Sequence, residues 1–165
     1  MFNLHCTKKL LDRIKPVVQS PGQSTTHLGD WYATVLFWKP QLALLVNERT
    51  LLPVVMPLAP ASTFAQRFPE ALSKVLSALG TDESKIKAEL SEMTEQVFAK
   101  TANRSVLGVM NQFAYQAEGY RQHFGIVDPL NLSLKLADTP CSPLYKTAIC
   151  PDLAVRDLFA ASAMH

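Results

Sequence analysis

One stretch decides the fold: residues 100–125, which read KTANRSVLGVMNQFAYQAEGYRQHFG. After Arg104 the apolar residues recur every three or four positions, a spacing typical of an amphipathic α-helix that buries one face. Gly125 supplies the left-handed residue at which helices commonly end. The pattern therefore predicts a long central core helix over about 104–124. The residues at this spacing are Leu107, Met110, Phe113, Ala114, Ala117, Tyr120 and Phe124, and of these Leu107, Met110, Phe113 and Ala117 are expected to be buried.

Upstream of this helix, three short apolar runs bounded by turn residues predict the strands of an antiparallel meander. Pro53 and Pro57 lack the N–H group that a strand inside a sheet donates to its neighbour, so the third run is expected to lie at an edge. The three runs are Trp31–Trp38, Leu42–Val46 and Leu51–Leu58.

Shorter patterns predict the remaining elements. The leucines between 130 and 136 alternate with polar residues as in a strand, but Asp128-Pro129 is a typical helix start, so a helix is expected over 129–138. The other predicted strands are Met1–Cys6 and Glu95–Ala99. The other predicted helices are Lys8–Ile14, a body from Pro69 to Gly80 capped by Ser62 or Thr63, Thr81 to about Ser91, and Asp152–Ala161.

No internal repeat or shift of composition divides the 165 residues. We therefore expect one α+β domain over 1–165, with a mainly antiparallel sheet covered by helices. Residues 17–27 contain Pro21, Gly22 and a run of Ser and Thr, and we expect them to form a mobile loop. The C-terminal tail, 146–165, is assigned to this domain on weaker grounds than the rest of the chain.

The charge balance limits the class of partner. Sixteen Lys and Arg against fourteen Asp and Glu leave a net charge of +2, too small to attract nucleic acid without a local patch. No run approaches the roughly 18 apolar residues of a membrane span, and the N-terminus lacks the residue order of an export signal. The sequence predicts a cytoplasmic protein with no membrane partner.

The cysteines and histidines predict no metal and no cofactor. Cys6, Cys141 and Cys150 form no C-x-x-C motif, so reduced thiols are expected, with a bridge between Cys141 and Cys150 left open. The spacing of these cysteines and of the histidines matches no zinc site. No glycine motif for phosphate and no nucleophile motif is present, so no catalytic residue is predicted.

Six separated blocks resemble a bacterial domain family of unknown function. The resemblance spans about residues 4–145 and implies a bacterial origin and a small stand-alone protein. It brings no activity, substrate or cofactor with it. The blocks are CTKKLL (6–11), LGDWYA (28–33), LVNE (45–48), LLP (51–53), KTANRSVLGVMNQF (100–113) and TPCSP (139–143).

The start of the long helix is the candidate ligand site. Arg104 would place a fixed cation in the first helical turn, which is unfavourable by a few tenths to about 1 kcal/mol unless an anion lies nearby. Free N–H groups at a helix N-terminus favour a phosphate or a carboxylate at the same place. The candidate ligand-binding residues are Arg104, Ser105, Asn111, Thr101, Asn103 and Glu48.

The charge of Arg104 has simpler explanations than a bound ligand. Glu48 or Asp30 would pair with the guanidinium inside the chain, or solvent alone would screen it. The predicted function is a small module that binds an anionic partner, either phosphate-bearing or a nucleic acid. The alternatives are a protein–protein interaction or regulatory module, and a small hydrolase. A basic helix edge at Lys8, Lys9, Arg13 and Lys15 is either a solvated face or an aid to such a partner.

Overall fold

An antiparallel meander forms one half of the sheet. In the computed structural model, which describes residues 1–163, β2 pairs with β3 and β3 with β4, both antiparallel. Register places Tyr32 opposite Val46 and Leu44 opposite Val55. The three strands are β2 (Trp31–Leu36), β3 (Leu42–Asn47) and β4 (Pro53–Pro57), so the predicted meander is confirmed.

The other half of the sheet is parallel. Strand β1 (Phe2–Cys6) lies between β2 and β5 (Gln96–Lys100) and is parallel to both. The strand order is β4-β3-β2-β1-β5, so the sheet is mixed, and the expectation of a mainly antiparallel sheet was only partly right. Helical segments lie between the strands of each parallel pair in the chain, as parallel pairing requires. The strand sequences themselves carry no sign of that direction.

Six α-helices occupy the described residues. The long helix has the predicted bounds, and 129–137 is helical, with the Asp128 carboxylate accepting the Asn131 N–H at 2.9 Å. None of the helices in residues 1–163 has the length and apolar content to cross a membrane. The helices are α1 (Lys8–Ile14), α2 (Phe64–Ala78), α3 (Glu83–Ser91), α4 (Arg104–Phe124), α5 (Pro129–Ala137) and α6 (Pro151–Ala163).

Helix α2 begins earlier than the sequence predicts. It starts at Phe64 with Thr63 as the N-cap residue, so Pro69 lies inside the helix rather than in its first turn. Pro69 has no N–H for the carbonyl of Ala65, a loss that normally disfavours a helix interior. The added turn buries Phe64, Ala65 and Phe68, and this apolar burial offsets the missing hydrogen bond.

The sheet separates two apolar layers. One face packs mainly against α1, α2 and α6, where Trp31 meets Phe68 edge to face with ring centroids 4.8 Å apart. The other face packs beneath α4 and part of α5. Leu107 is only half-buried, because the first turn of α4 approaches the sheet through Val106 instead. The α4 residues buried in this second layer are Val106, Val109, Met110, Phe113 and Ala117.

Both edges of the sheet are partly covered. At one edge the Val55 N–H of β4 donates to the Ser133 hydroxyl of α5 at 2.8 Å. At the other edge the Gln19 N–H donates to the Phe98 carbonyl at 2.8 Å, beside an isolated bridge between Val18 and Phe98. Residues 17–27 are thus tied to the sheet at several points, and their mobility stays a prediction.

Candidate functional site

The start of α4 is closed by its own chain. The Asn103 side chain accepts the N–H groups of Ser105 at 2.9 Å and Val106 at 3.2 Å. The Asn103 N–H itself donates to the Tyr32 hydroxyl at 3.0 Å. Of the four N–H groups that a helix N-terminus leaves open, only that of Arg104 is not used in this way. An anion here would therefore be held mainly by side chains.

The predicted site residues fall into three places. Arg104 and Ser105 are exposed in the first turn of α4, with the half-exposed Thr101 just before it. Within residues 1–163 Arg104 forms neither an ion pair nor a side-chain hydrogen bond. Asn111 is exposed seven residues along α4, a rise of roughly 10 Å from Arg104. Asn111 therefore lies away from the helix start.

Glu48 lies in the turn directly after β3. Its side chain is exposed and forms no ion pair within the described residues, and its backbone N–H donates to the Asp30 carbonyl at 3.0 Å. Its negative charge acts on both Tyr32 and His5. Tyr32 therefore connects two predicted site residues, since Asn103 bonds its hydroxyl and Glu48 acts on it through space.

Tyr32 belongs to a group of four polar residues, here called the polar cluster: Asn3, His5, Asp30 and Tyr32. His5 Nε2 lies 3.0 Å from Asp30 Oδ2, and Asn3 Nδ2 donates to Asp30 Oδ1 at 3.0 Å. The His5 ring stacks on the Tyr32 ring with centroids 4.6 Å apart. Asn3, His5 and Tyr32 are buried, and the Asp30 side chain is 18% exposed.

The hydrogen bonds of His5 fix its charge. Nδ1 lies 3.1 Å from the Lys100 carbonyl, and Nε2 faces the Asp30 carboxylate, so both ring nitrogens meet groups that only accept. Both nitrogens can donate only in the imidazolium form. Burial lowers the pKa of His5, but the bonds to Asp30 and to the Lys100 carbonyl outweigh it, and the net shift is upward. Burial raises the pKa of Asp30, but His5 and Asn3 outweigh it, and the net shift is downward.

Below the raised pKa of His5, the polar cluster contains an internal ion pair between His5 and Asp30, and its hydrogen bonds hold three parts of the chain together. It joins β1 to the turn before β2 and to the end of β5, the strand that leads into α4. Its place is to position the chain beneath the start of α4.

Sequence reasoning did not find the polar cluster. From the sequence, the histidines were tested only as metal ligands and Asp30 only as a partner of Arg104. One signal was available: Asn3 and His5 alternate with Phe2, Leu4 and Cys6 in a strand, so two polar side chains share one face of a short apolar run. The partner Asp30 is 25 residues away and has no local signature.

A polar cleft of about 270 Å³ opens beside the polar cluster. It contains the Asp30 and Glu48 carboxylates, and Arg49 donates to the His27 carbonyl at 3.0 Å on the same side. The lining residues are Gly22, Gln23, Ser24, Thr26, Gly29, Asp30, Glu48 and Arg49. The two carboxylates make this cleft a poor place for an anion, in contrast to the exposed cations near the start of α4.

A buried carboxylate shapes the loop before β2. The Glu89 side chain of α3 accepts the N–H groups of His27 and Leu28, both at 2.7 Å. Burial raises the pKa of Glu89, while these two donors lower it. Within residues 1–163 no group of three or more His, Cys, Asp or Glu side chains is placed to hold a metal ion.

Comparison with known proteins identifies the family. The family described as "Domain of unknown function (DUF6933)" matches residues 3–154. The chain belongs to this family. The match extends from β1 into α6 and agrees with the sequence resemblance to a family of no known activity. No curated protein and no solved structure matches the chain. Membership of DUF6933 therefore assigns no function by itself.

Proposed function

We propose that this DUF6933 chain is a small binding module that takes an anionic, phosphate-bearing partner, such as a nucleic acid, at the start of α4. Arg104 and the Ser105 hydroxyl make the contacts, with Thr101 beside them. We further propose that the protein is bacterial and cytoplasmic, a proposal supported by the sequence resemblance and by three free cysteines.

One observation carries the proposal: an exposed guanidinium lies in the first turn of a helix with no anion paired to it within the described residues. Such a cation opposes the helix dipole by a few tenths to about 1 kcal/mol. Lys100, also exposed, lies four residues before it at the end of β5. A bound phosphate group would relieve the opposition and bond to the guanidinium at two points.

The other predicted residues support the site indirectly. Asn103 fixes the first turn through its bonds to Ser105 and Val106 and through the Tyr32 hydroxyl. Asn103 therefore orients Arg104 rather than binding the ligand. Glu48 carries a negative charge that acts on Tyr32 and lines the polar cleft, so it should weaken the attraction for anions and exclude strongly acidic partners that approach from that cleft.

The test is thermal unfolding with and without inorganic tripolyphosphate, at about 50 mM and about 200 mM salt. Tripolyphosphate should raise the Tm of the wild type, and the rise should shrink at the higher salt concentration. Arg104→Ala should abolish the rise, and it should leave the Tm without ligand unchanged or slightly higher because a cation that opposes the helix dipole is removed. Arg156→Ala, which removes an exposed arginine of α6, is the matched control and should respond like the wild type.

Two results would count against the proposal. Equal Tm shifts in wild type and Arg104→Ala would place the binding elsewhere, and no shift in either would remove the anion site. If Arg104→Ala instead lowers the Tm of the free protein and Glu48→Gln does the same, the two side chains pair in solution and the arginine is structural. Repeating the Tm measurement with a single-stranded RNA oligonucleotide in place of tripolyphosphate shows whether the site also binds a nucleic acid.

A second candidate function rests on α4 as well. Tyr115 is 83% exposed, a large aromatic side chain in open solvent near the middle of this helix. Exposed tyrosine is enriched where proteins meet. The two exposed residues on this helix, Arg104 and Tyr115, would then contact a protein partner rather than a small anion. Binding that survives at high salt and is lost in Tyr115→Ala would favour this second function.

A further inference from the structure

A pair of cysteines at the junction of α5 and α6 has no part in the proposed anion site. The Cys141 N–H donates to the Ile149 carbonyl at 2.9 Å, next to Cys150 in the chain. With standard bond lengths this hydrogen bond leaves the two α-carbons at most about 7 Å apart, close to the range that disulfides span.

The side chains of the pair point to the same stretch of backbone. The Cys141 thiol donates to the Thr139 carbonyl at 3.4 Å. The Cys150 thiol donates to the carbonyl of Asp138, the residue just before Thr139, at 3.8 Å. The two sulfur atoms therefore lie on one side of the segment. Burial raises the pKa of Cys141 to about 11, and the neighbouring Cys150 thiol adds to the rise.

The intervening segment is internally bonded. Leu144 and Tyr145 close a short 3-10 turn that begins at Ser142, and the Ile149 N–H donates back to the Leu144 carbonyl at 2.9 Å. Ile149 has a φ of 72°, which a β-branched residue rarely adopts, so the surrounding contacts must hold it there. The bonded segment keeps Cys150 beside Cys141.

The two thiols differ in access. Cys141 is fully buried, whereas Cys150 is partly exposed and can meet a reagent from solvent. Cys6, the third cysteine, is buried in β1 against the opposite layer of the core. The pair thus has one accessible thiol, Cys150, to attack an oxidant and one buried thiol, Cys141, to resolve the product. Burial and the nearby Asp152 and Asp138 carboxylates raise the pKa of Cys150, so the attack should be slow at neutral pH and should speed up as the pH rises.

We propose that Cys141 and Cys150 form a reversible redox site that a small disulfide oxidises to an intramolecular disulfide. The Cys150 thiolate attacks one sulfur of the oxidant R–S–S–R, forms a mixed disulfide and releases one thiolate RS⁻. The Cys141 thiolate then attacks the Cys150 sulfur, forms the internal bond and releases the second RS⁻. The oxidant takes two electrons, and the two protons of the protein thiols end on the two released thiols.

The bond would tie the end of α5 to the beginning of α6. Helix α6 packs Val155 and Phe159 into the core layer beneath the sheet. Oxidation would therefore fix the attachment of this helix, and reduction would release the covalent link while the core contacts remain. The oxidised protein should melt at a higher temperature than the reduced protein.

The experiment uses the full chain, first reduced and then equilibrated with excess oxidised glutathione. After acid quenching, free thiols are alkylated in denaturant and the protein is analysed by mass spectrometry. The wild type should retain one alkylatable thiol, Cys6, and carry no glutathione. Trypsin should yield the peptides 136–146 and 147–156 joined by a disulfide, and dithiothreitol should separate them.

The variant Cys141→Ser separates the two steps. It should stop at the mixed disulfide and accumulate one glutathione on Cys150. The proposal is overturned if the wild type also accumulates that adduct while Cys141 stays alkylatable. Disulfides between two chains through Cys150, or three alkylatable thiols after equilibration, would overturn it equally.

Discussion

At the scale of single residues, the buried contact between His5 and Asp30 governs how stability should depend on pH. The pKa of His5 is raised in the folded chain, so its stabilising charge is fully present below the unfolded value of about 6.5 and is lost as pH rises through the folded value. The pKa of Asp30 is lowered, so its contribution is present above about 3.9 and is lost as pH falls through the folded value. The pair should therefore stabilise the fold most between about pH 4 and 6.5.

Asp30→Asn should remove this dependence. The substitution leaves the buried imidazole without its anionic partner, and we expect the free energy of unfolding at about pH 5.5 to fall by about 1–3 kcal/mol. The difference between variant and wild type should shrink as the pH rises through the raised pKa of His5, because the imidazole is then neutral in both proteins. Urea unfolding at a series of pH values measures this.

The matched control is Asp12→Asn, an exposed aspartate whose contact with Lys8 spans 3.5 Å. Its effect on stability should stay within about 0.5 kcal/mol at every pH. An Asp30→Asn protein that unfolds like the wild type at pH 5.5 would contradict the charged state assigned to His5 from its two acceptors.

Asn103 offers a second test at this scale. Asn103→Ala removes the acceptor of two N–H groups at the start of α4 and should lower the free energy of unfolding by about 1 kcal/mol. Asn111→Ala changes the same residue type on the same helix where no cap is lost, and should be neutral or slightly stabilising. Equal losses in both variants, by thermal or urea unfolding, would show that Asn103 does not act as a cap.

At the scale of elements, the edge strand β4 leaves no free N–H donor on its outer side at three alternate positions. Pro53, Val55 and Pro57 alternate along the strand and turn their backbone nitrogens to the same side. The two prolines have no N–H, and the one N–H of this set goes to the Ser133 hydroxyl of α5. The edge therefore presents no free donor at these three positions.

Ser133→Ala tests how much this hydrogen bond contributes to the free energy of unfolding. It leaves the buried Val55 N–H without an acceptor, and the expected loss of unfolding free energy is about 1–3 kcal/mol. Ser91→Ala is the control, because Ser91 makes a similar local bond to the Ala88 carbonyl but is exposed and serves no strand. If Ser133→Ala unfolds at the same urea concentration as the wild type, water must satisfy the Val55 N–H in its place.

Elements with strong local signals were predictable. Helix α4 has the predicted bounds because Asn103, the apolar spacing and Gly125 all act locally. The position of β4 at an edge followed from Pro53 and Pro57. The cap of α2 at Thr63 was among the predicted residues, but the first-turn position of Pro69 was wrong, since burial of Phe64 and Phe68 outweighs the local preference of proline for a first turn.

At the scale of the whole molecule, the direction of β1 and β5 and the polar cluster escaped prediction for one reason. Both depend on contacts between distant parts of the chain, such as Leu4 beside Phe98 and His5 beside Asp30. The start of α4 was found as a candidate site because its signal lies within a few residues. The hydrogen bonds from its N–H groups to Asn103 and Tyr32 were not predicted. The candidate site therefore consists of side chains more than of backbone N–H groups.

Phe113 tests how the layer of α4 contributes to the stability of the whole domain. Its side chain is fully buried between α4 and the sheet, and Phe113→Ala should lower the free energy of unfolding by about 3–5 kcal/mol. Tyr115→Ala removes a similar volume from the exposed face of the same helix and should change stability by less than about 0.5 kcal/mol. A small effect of Phe113→Ala in urea unfolding would mean that the second layer is loosely packed.

The most direct test of the anion-binding function is an NMR titration of the ¹⁵N-labelled full chain with inorganic tripolyphosphate at low salt. The predicted result is a saturable shift of the Arg104 Nε–H signal and of the backbone signals of residues 100–105, reversed by added salt and absent in Arg104→Ala. Shifts centred on the basic edge at Lys8–Lys15, or no saturable shift at residues 100–105, would contradict it.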